Sequence, residues 1–333
     1  MKTLMLIVGM LLLSACSQGR KSDNNSGSDD TIAVRERKAV FDADTAFFHV
    51  GNQVALGPRV PGTDAHRLCG EYIARTLQRY GADTVITQRG SATMHTGKEI
   101  PLVNIMGRFN VDAPRRLLIV AHYDTRPWAD AEIDQNKHDR PIPGANDGGS
   151  GVGVALELSR LVGSIKPDAG VDFLLVDAED SGQSSGWGEN DETWCLGTQY
   201  WVKNMPYRSA SERPAYGIVL DMVGGDGAVF YRESLSERLA PAINTKVWGT
   251  ALNSEFADRF NNAVSGSLID DHLFINRAGI PCIDIVECNN ARTGSFPPTW
   301  HTLDDDMRHI DRSTLKAVGQ VVADVIYGEA VSE

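Results

Sequence analysis

The stretch "VDFLLVDAEDSG", Val171 to Gly182, carries the fold and the chemistry together. Its first half is a short, mostly apolar run, as expected of a strand covered on both faces. Its second half holds Asp177, Glu179 and Asp180. Carboxylates are rarely buried without partners. Either these acids are wet at a strand end, or something cationic sits among them.

The same design recurs along the chain. "RRLLIVAHYD", "YGIVLDMVG" and "GIPCIDIVE" read as further apolar strands, and "DTVITQR" and "LVNIMGRF" as two more. Helical stretches separate them. "TDAHRLCGEYIARTLQRYG" starts at a Thr63 or Asp64 cap, with Leu68, Ile73, Leu77 and Tyr80 as its apolar stripe. "GSGVGVALELSRLVG" and "WCLGTQYWVKNM" follow. "DRSTLKAVGQVVADVIYG" closes the chain, with Leu315, Val318, Val322, Val325 and Ile326 facing inward. This alternation predicts an α/β fold: a single globular domain over residues 32–333, its central twisted, mainly parallel sheet flanked by helices on both faces. Such sheets bind ligands just beyond the carboxyl ends of their strands.

The polar residues fall at those ends. "LLIVA" runs into His122, Tyr123 and Asp124, "FLLVDA" into Glu179 and Asp180, and "GIVL" into Asp221. Asp147 sits in the glycine-rich turn "PGANDGGSG", and His301 in the loop "FPPTWHTLDDD". Taken singly, Asp147 reads as a helix cap and Asp221 as a wet strand end. His301 is one of eight histidines, and a histidine taken at random is more often structural than a ligand. Converging on one sheet edge, they form a divalent-metal ligand set, and histidine with Asp or Glu suits zinc. Other chemistries lack their signatures. "GGSGVG" has the wrong spacing for a dinucleotide turn, and Val152 takes the last position of a would-be nucleophile elbow around Ser150. The net charge of −12 argues against nucleic acid as a partner.

The chain begins with a short basic start and the apolar run "LMLIVGMLLLSA", too short to span a membrane permanently. "LSAC" resembles a bacterial lipoprotein signal. Residues 1–15 are therefore expected to be a signal peptide, and 16–31 a flexible tether acylated at Cys16. The mature protein is then exported, anchored to a membrane and facing the periplasm. Four further cysteines, Cys69, Cys195, Cys282 and Cys288, leave disulfide pairing open. Cys282 and Cys288 are not expected to pair if "PCIDIVEC" is one strand, because six residues of strand span roughly 20 Å.

In their order, "AHYDT", "NDGGSG", "DAEDSG", "LDMVG" and "WHTLDD" resemble the secreted zinc aminopeptidase superfamily. Within it, "LGPRVPGT", "IDDHLFINRAGIPCIDIV" and "FPPTWHTLDD" resemble bacterial glutaminyl cyclases of the animal-type zinc fold. The likeness runs from about Phe47 onward. It implies one zinc ion per chain on Asp147, Asp180 and His301, with Glu179 as general acid and base. Asp221 and Asp270 would join the hydrogen-bond network of Glu179. Trp300 would line the pocket with Trp187, for which Trp194 is the rival. His122 and Asp124 would belong to a second metal site or to the network. The animal enzymes carry Glu-Glu where this chain has Glu179-Asp180. The implied reaction converts N-terminal glutamine of peptides or proteins to pyroglutamate with loss of ammonia, by a monomeric enzyme. A secreted dinuclear zinc aminopeptidase uses the same ligands plus His122 and Asp221. A non-catalytic lipoprotein binding module on this fold would have shed Glu179 or a ligand, and neither is missing.

Overall fold

A computed structural model describes residues 39–184 and 190–329. The signal segment, Cys16, the tether and Trp187 lie outside them. In chain order the elements are α1 (Ala43–Val54), α2 (Asp64–Arg79), β1 (Thr84–Thr93), β2 (Glu99–Phe109), β3 (Arg116–His122), α3 (Gly149–Ser164), β4 (Gly170–Val176), α4 (Leu196–Lys203), β5 (Tyr216–Asp221), β6 (Phe230–Arg232), α5 (Ser234–Leu239), α6 (Pro241–Leu252), β7 (Phe260–Val264), α7 (Asp271–Arg277), β8 (Cys282–Val286) and α8 (Arg312–Tyr327).

The main sheet has the order β1-β2-β4-β3-β5-β8. Strands β4, β3, β5 and β8 are parallel, and every residue of the four is buried. Their apolar runs serve two faces at once. Leu117, Ile119 and Ala121 pack into the larger core with residues of α3 and α8. Leu118 and Val120 point the other way, toward Trp201 and Ile275. The sheet is thus mainly parallel and covered on both sides, as expected. Strands β1 and β2 add to it antiparallel, and β1 alternates wet and half-buried positions as an edge strand does. Strands β6 and β7 form a separate parallel pair.

Asp172 is a charge inside β4, and it is satisfied where it stands. Arg116 Nη1 donates to it at 2.7 Å, Arg108 Nε at 3.2 Å and the Tyr207 hydroxyl at 2.9 Å. The inward face expected of α8 is buried throughout. The stripe expected of α2 is corrected at one position. His66, Cys69, Gly70, Ile73, Thr76 and Leu77 are the buried residues, and Leu68 is exposed. The burial face there is carried by a histidine and a cysteine, which an apolar count passes over. All four cysteines of the described region are free. Among the described residues no helix is long and apolar enough to cross a membrane.

The glycines opening α3 have a packing role. A Cβ on Gly148 would lie 2.3 Å from the carbonyl oxygen of His122, and one on Gly151 would lie 2.0 Å from that of Leu220. Only glycine lets the start of α3 approach the ends of β3 and β5 this closely. That approach brings Asp147 over the sheet edge.

Candidate active site

Strand β3 lies between β4 and β5, so their carboxyl ends stand side by side. His122 ends β3, Asp221 ends β5, and Glu179 and Asp180 follow β4. The glycine turn brings Asp147 above them, and the loop before α8 brings His301. Backbone strain gathers at the same place. Ala178, Cys195, Met222 and His301 all have positive φ, four of the five such non-glycine residues in the described chain. L-residues resist that conformation, and it clusters where a structure dictates side-chain direction.

Two donor sets result, sharing Asp147. In one, ligand atoms of Asp147, Asp180 and His301 lie within 4.8 Å of one another; in the other, those of His122, Asp147 and Asp221 do. His301 Nε2 is 3.1 Å from Asp180 Oδ1 and 3.7 Å from Asp147 Oδ2. His122 Nε2 is 3.1 Å from Asp147 Oδ1 and 3.2 Å from Asp221 Oδ1. All five side chains are buried. Asp180 Oδ2 has no hydrogen-bond partner among the described residues. Buried carboxylates and imidazoles so arranged fit a divalent cation.

Each donor is held from behind. Asp124 accepts the amides of Glu179 and Asp180 at 3.1 and 3.2 Å, and its Oδ1 faces His122 Nδ1 at 3.4 Å. Asp305 accepts the amides of Asn146 and Asp147 at 2.8 and 3.1 Å. Asp130 Oδ1 faces His301 Nδ1 at 3.2 Å. A carboxylate at one ring nitrogen leaves the other free to donate its lone pair. The cap reading of Asp147 does not hold, because the N-cap of α3 is Gly148 and no side chain caps it. Asp177 belongs to the scaffold: its oxygens take His66 Nε2 at 2.8 Å and the Val103 amide at 2.7 Å.

Glu179 stands apart from both donor sets. Its Oε1 accepts the Cys195 thiol at 3.2 Å, and Asp270 completes a group within 4.8 Å of one another. Burial pushes the Glu179 carboxyl well above its usual range, and the neighbouring Asp270 and Asp180 charges add to this. Asp221 is pushed up to about 7 by burial and by the nearby Asp147 and Asp270. Burial opposes the His301 imidazolium, but the carboxylates of Asp180 and Asp130 outweigh it and raise its pKa. Perturbed groups of this kind gather at reactive sites.

The site opens into a cleft of about 120 Å³. Trp300 stacks on His301, with ring centroids 3.6 Å apart, and on Phe296 at 4.5 Å. Trp194 lies nearly parallel to His301 at 6.4 Å and lines the cleft with Leu268 and Ile269. Of the two rival tryptophans, Trp194 is therefore a wall; Trp187 lies outside the described residues. Apart from Asp177, which turns away to His66, the structure brings together the other site residues expected from sequence. It adds Cys195, Arg126, Asp130 and Asp305; Asp305 lay in the quoted loop "FPPTWHTLDDD" and Cys195 at the start of the quoted helix "WCLGTQYWVKNM", whereas Arg126 and Asp130 lay in no quoted stretch.

Known proteins share this frame. A crystal structure of Bacteroides thetaiotaomicron glutaminyl cyclase bound to N-acetylhistamine is 46% identical, covers 87% of this chain and 99% of that one, and superposes with a TM-score of 0.84. A leucine aminopeptidase precursor from Bacteroides thetaiotaomicron VPI-5482 is also 46% identical, covering 87% and 98%, with a TM-score of 0.82. Aminopeptidase YwaD of Bacillus subtilis is 27% identical over 321 residues, 92% of this chain; the match spans 62% of that protein, less than two thirds of its length. Similar chains thus bear the names of two activities, so a name alone does not choose between them. Residues 104–326 match the model of peptidase family M28, and the chain belongs to that family.

Proposed function

We propose that the chain is a zinc-dependent glutaminyl-peptide cyclotransferase, which closes N-terminal glutamine into pyroglutamate and releases ammonia. The observation that carries this reading is the placement of Asp270 and Cys195 against Glu179. They close in the proton carrier at the edge of an aromatic-walled cleft. Zinc on Asp147, Asp180 and His301 would supply Lewis acidity toward the glutamine side-chain amide. The substrate's own α-amine is the nucleophile, in keeping with the lack of a serine or cysteine elbow. Glu179 accepts a proton from that amine and passes one to the departing nitrogen as the ring closes. Its raised pKa makes it a better proton acceptor than an ordinary carboxylate. Trp300 and Trp194 suit a small, flat side chain between apolar walls. The resemblance to an enzyme named glutaminyl cyclase over 87% of the chain supports the reading.

A second reading, a dinuclear aminopeptidase, is favoured by the second donor set of His122, Asp147 and Asp221. Metal analysis separates the two. The cyclase reading expects one zinc per chain after dialysis, with Glu179→Gln retaining it, whereas two tightly held ions would favour the aminopeptidase. Under either reading the enzyme would act outside the cytoplasm, tethered at Cys16. Loss of membrane association in Cys16→Ser would support that placement.

A further inference from the structure

Arg126 is fully buried in the stretch between β3 and the Asp147 turn. Arginine keeps its charge at any working pH and is rarely buried without partners. Its Nε donates to Asp130 Oδ1 at 2.8 Å and its Nη2 to Asp130 Oδ2 at 2.6 Å, a two-pronged pair. Its Nη1 donates to the main-chain oxygen of Asp180 at 3.0 Å and to Asp180 Oδ1 at 3.3 Å. The rings of Trp128 and Trp194 each lie 5.0 Å from its guanidinium carbon. One cation therefore touches Asp180 directly, reaches His301 through Asp130, and supports a wall of the cleft.

We infer that Arg126 is a positioning residue that sets metal affinity and the shape of the substrate wall together. The inference rests on Asp180 and His301 holding the metal. Arg126 engages Asp180 Oδ1 and leaves Oδ2, which has no hydrogen-bond partner among the described residues, for the ion. It fixes Asp130, whose carboxylate lies 3.2 Å from His301 Nδ1 and so favours the proton on that nitrogen over Nε2. Stacking on the guanidinium holds Trp194 against the cleft. Without Arg126, Asp130 and Asp180 would face each other as partly buried like charges.

The test compares the full chain with Arg126→Gln, Arg126→Lys and Asp130→Asn. It reads the zinc dissociation constant by chelator competition, and KM and kcat at saturating zinc for the substrate turned over. Thermal melting checks folding. Arg126→Gln is expected to weaken zinc about 10–100-fold and to raise KM, with kcat less affected. Arg126→Lys keeps the charge but lacks the planar fork, so its loss is intermediate. Asp130→Asn is expected to weaken zinc but spare KM, because Trp194 keeps its cation. Wild-type zinc affinity and KM in a folded Arg126 variant would overturn the inference. If neither Arg126 variant folds, unchanged zinc affinity in Asp130→Asn overturns it. A wild-type chain that takes up no zinc would remove the underlying metal assignment, and the inference with it.

Discussion

The thiol of Cys195 donates to Oε1 of Glu179 at 3.2 Å, from a backbone turn with φ of 54°. A donor at that oxygen favours the ionised carboxylate. Cys195→Ala should therefore raise the Glu179 pKa and move the acid limb of kcat/KM to higher pH. A shift of roughly half a unit is expected for so weak a bond. The pH profile of the purified variant checks this.

Glu179 belongs to neither donor set, and it lines the cleft. Glu179→Gln keeps its shape and removes its proton chemistry. We expect kcat to fall by about 10²–10⁴-fold, with zinc content unchanged by metal analysis.

Asp124 holds the amides of both Glu179 and Asp180. In Asp124→Asn, one of those amides would meet an amide nitrogen in place of an oxygen. The strand end should loosen, and zinc affinity should fall about 10–100-fold, as read by chelator competition.

Trp194 and Trp300 line the cleft beside His301. Replacing either by alanine should raise KM more than it lowers kcat, since stacking walls bind substrate without touching the proton. Steady-state kinetics on short peptides separates the two parameters.

A pH-dependent stability resides far from the site, in His49. The ring is buried, with Nε2 3.0 Å from the Tyr80 hydroxyl, and Tyr72 meets Nδ1. Burial lowers its pKa from 6.5 to about 4. The unfolded chain thus takes up a proton near pH 6.5 that the folded chain refuses until about pH 4. This contribution is fully present above pH 6.5 and is lost as pH falls through that window, by about 3 kcal/mol at most. Denaturant melts at pH 7 and pH 4 should show the loss, and His49→Gln should lessen it.

How far the sequence announced this molecule follows from what each residue had to do. Strands β3, β4, β5 and β8 were legible because burial on both faces demands unbroken apolar runs. Of the donor residues, His122, Asp180 and Asp221 were legible because they end or follow those runs, and Asp147 and His301 because each sits in a loop quoted with them. Arg126 and Asp130 were not, because Arg and Asp four apart read as an ordinary exposed pair. Only the fold turns them inward against Asp180 and His301. Cys195 acts on a residue 16 positions away through a left-handed turn, which no periodicity reports. Asp177 looked like a member of the acid cluster, yet it points to His66 on α2. Side-chain direction at an irregular strand end is set by tertiary contacts.

The central claim is that Glu179, set in its acid network, transfers protons during closure of a substrate's own amine onto its side chain. The most direct measurement incubates the zinc-loaded protein with a peptide bearing N-terminal glutamine and, separately, with a leucine or alanine p-nitroanilide. The account predicts stoichiometric ammonia and pyroglutamyl peptide from the first and no p-nitroaniline from the second. Release of free amino acid and p-nitroaniline, with no ammonia from the glutamine peptide, would contradict it.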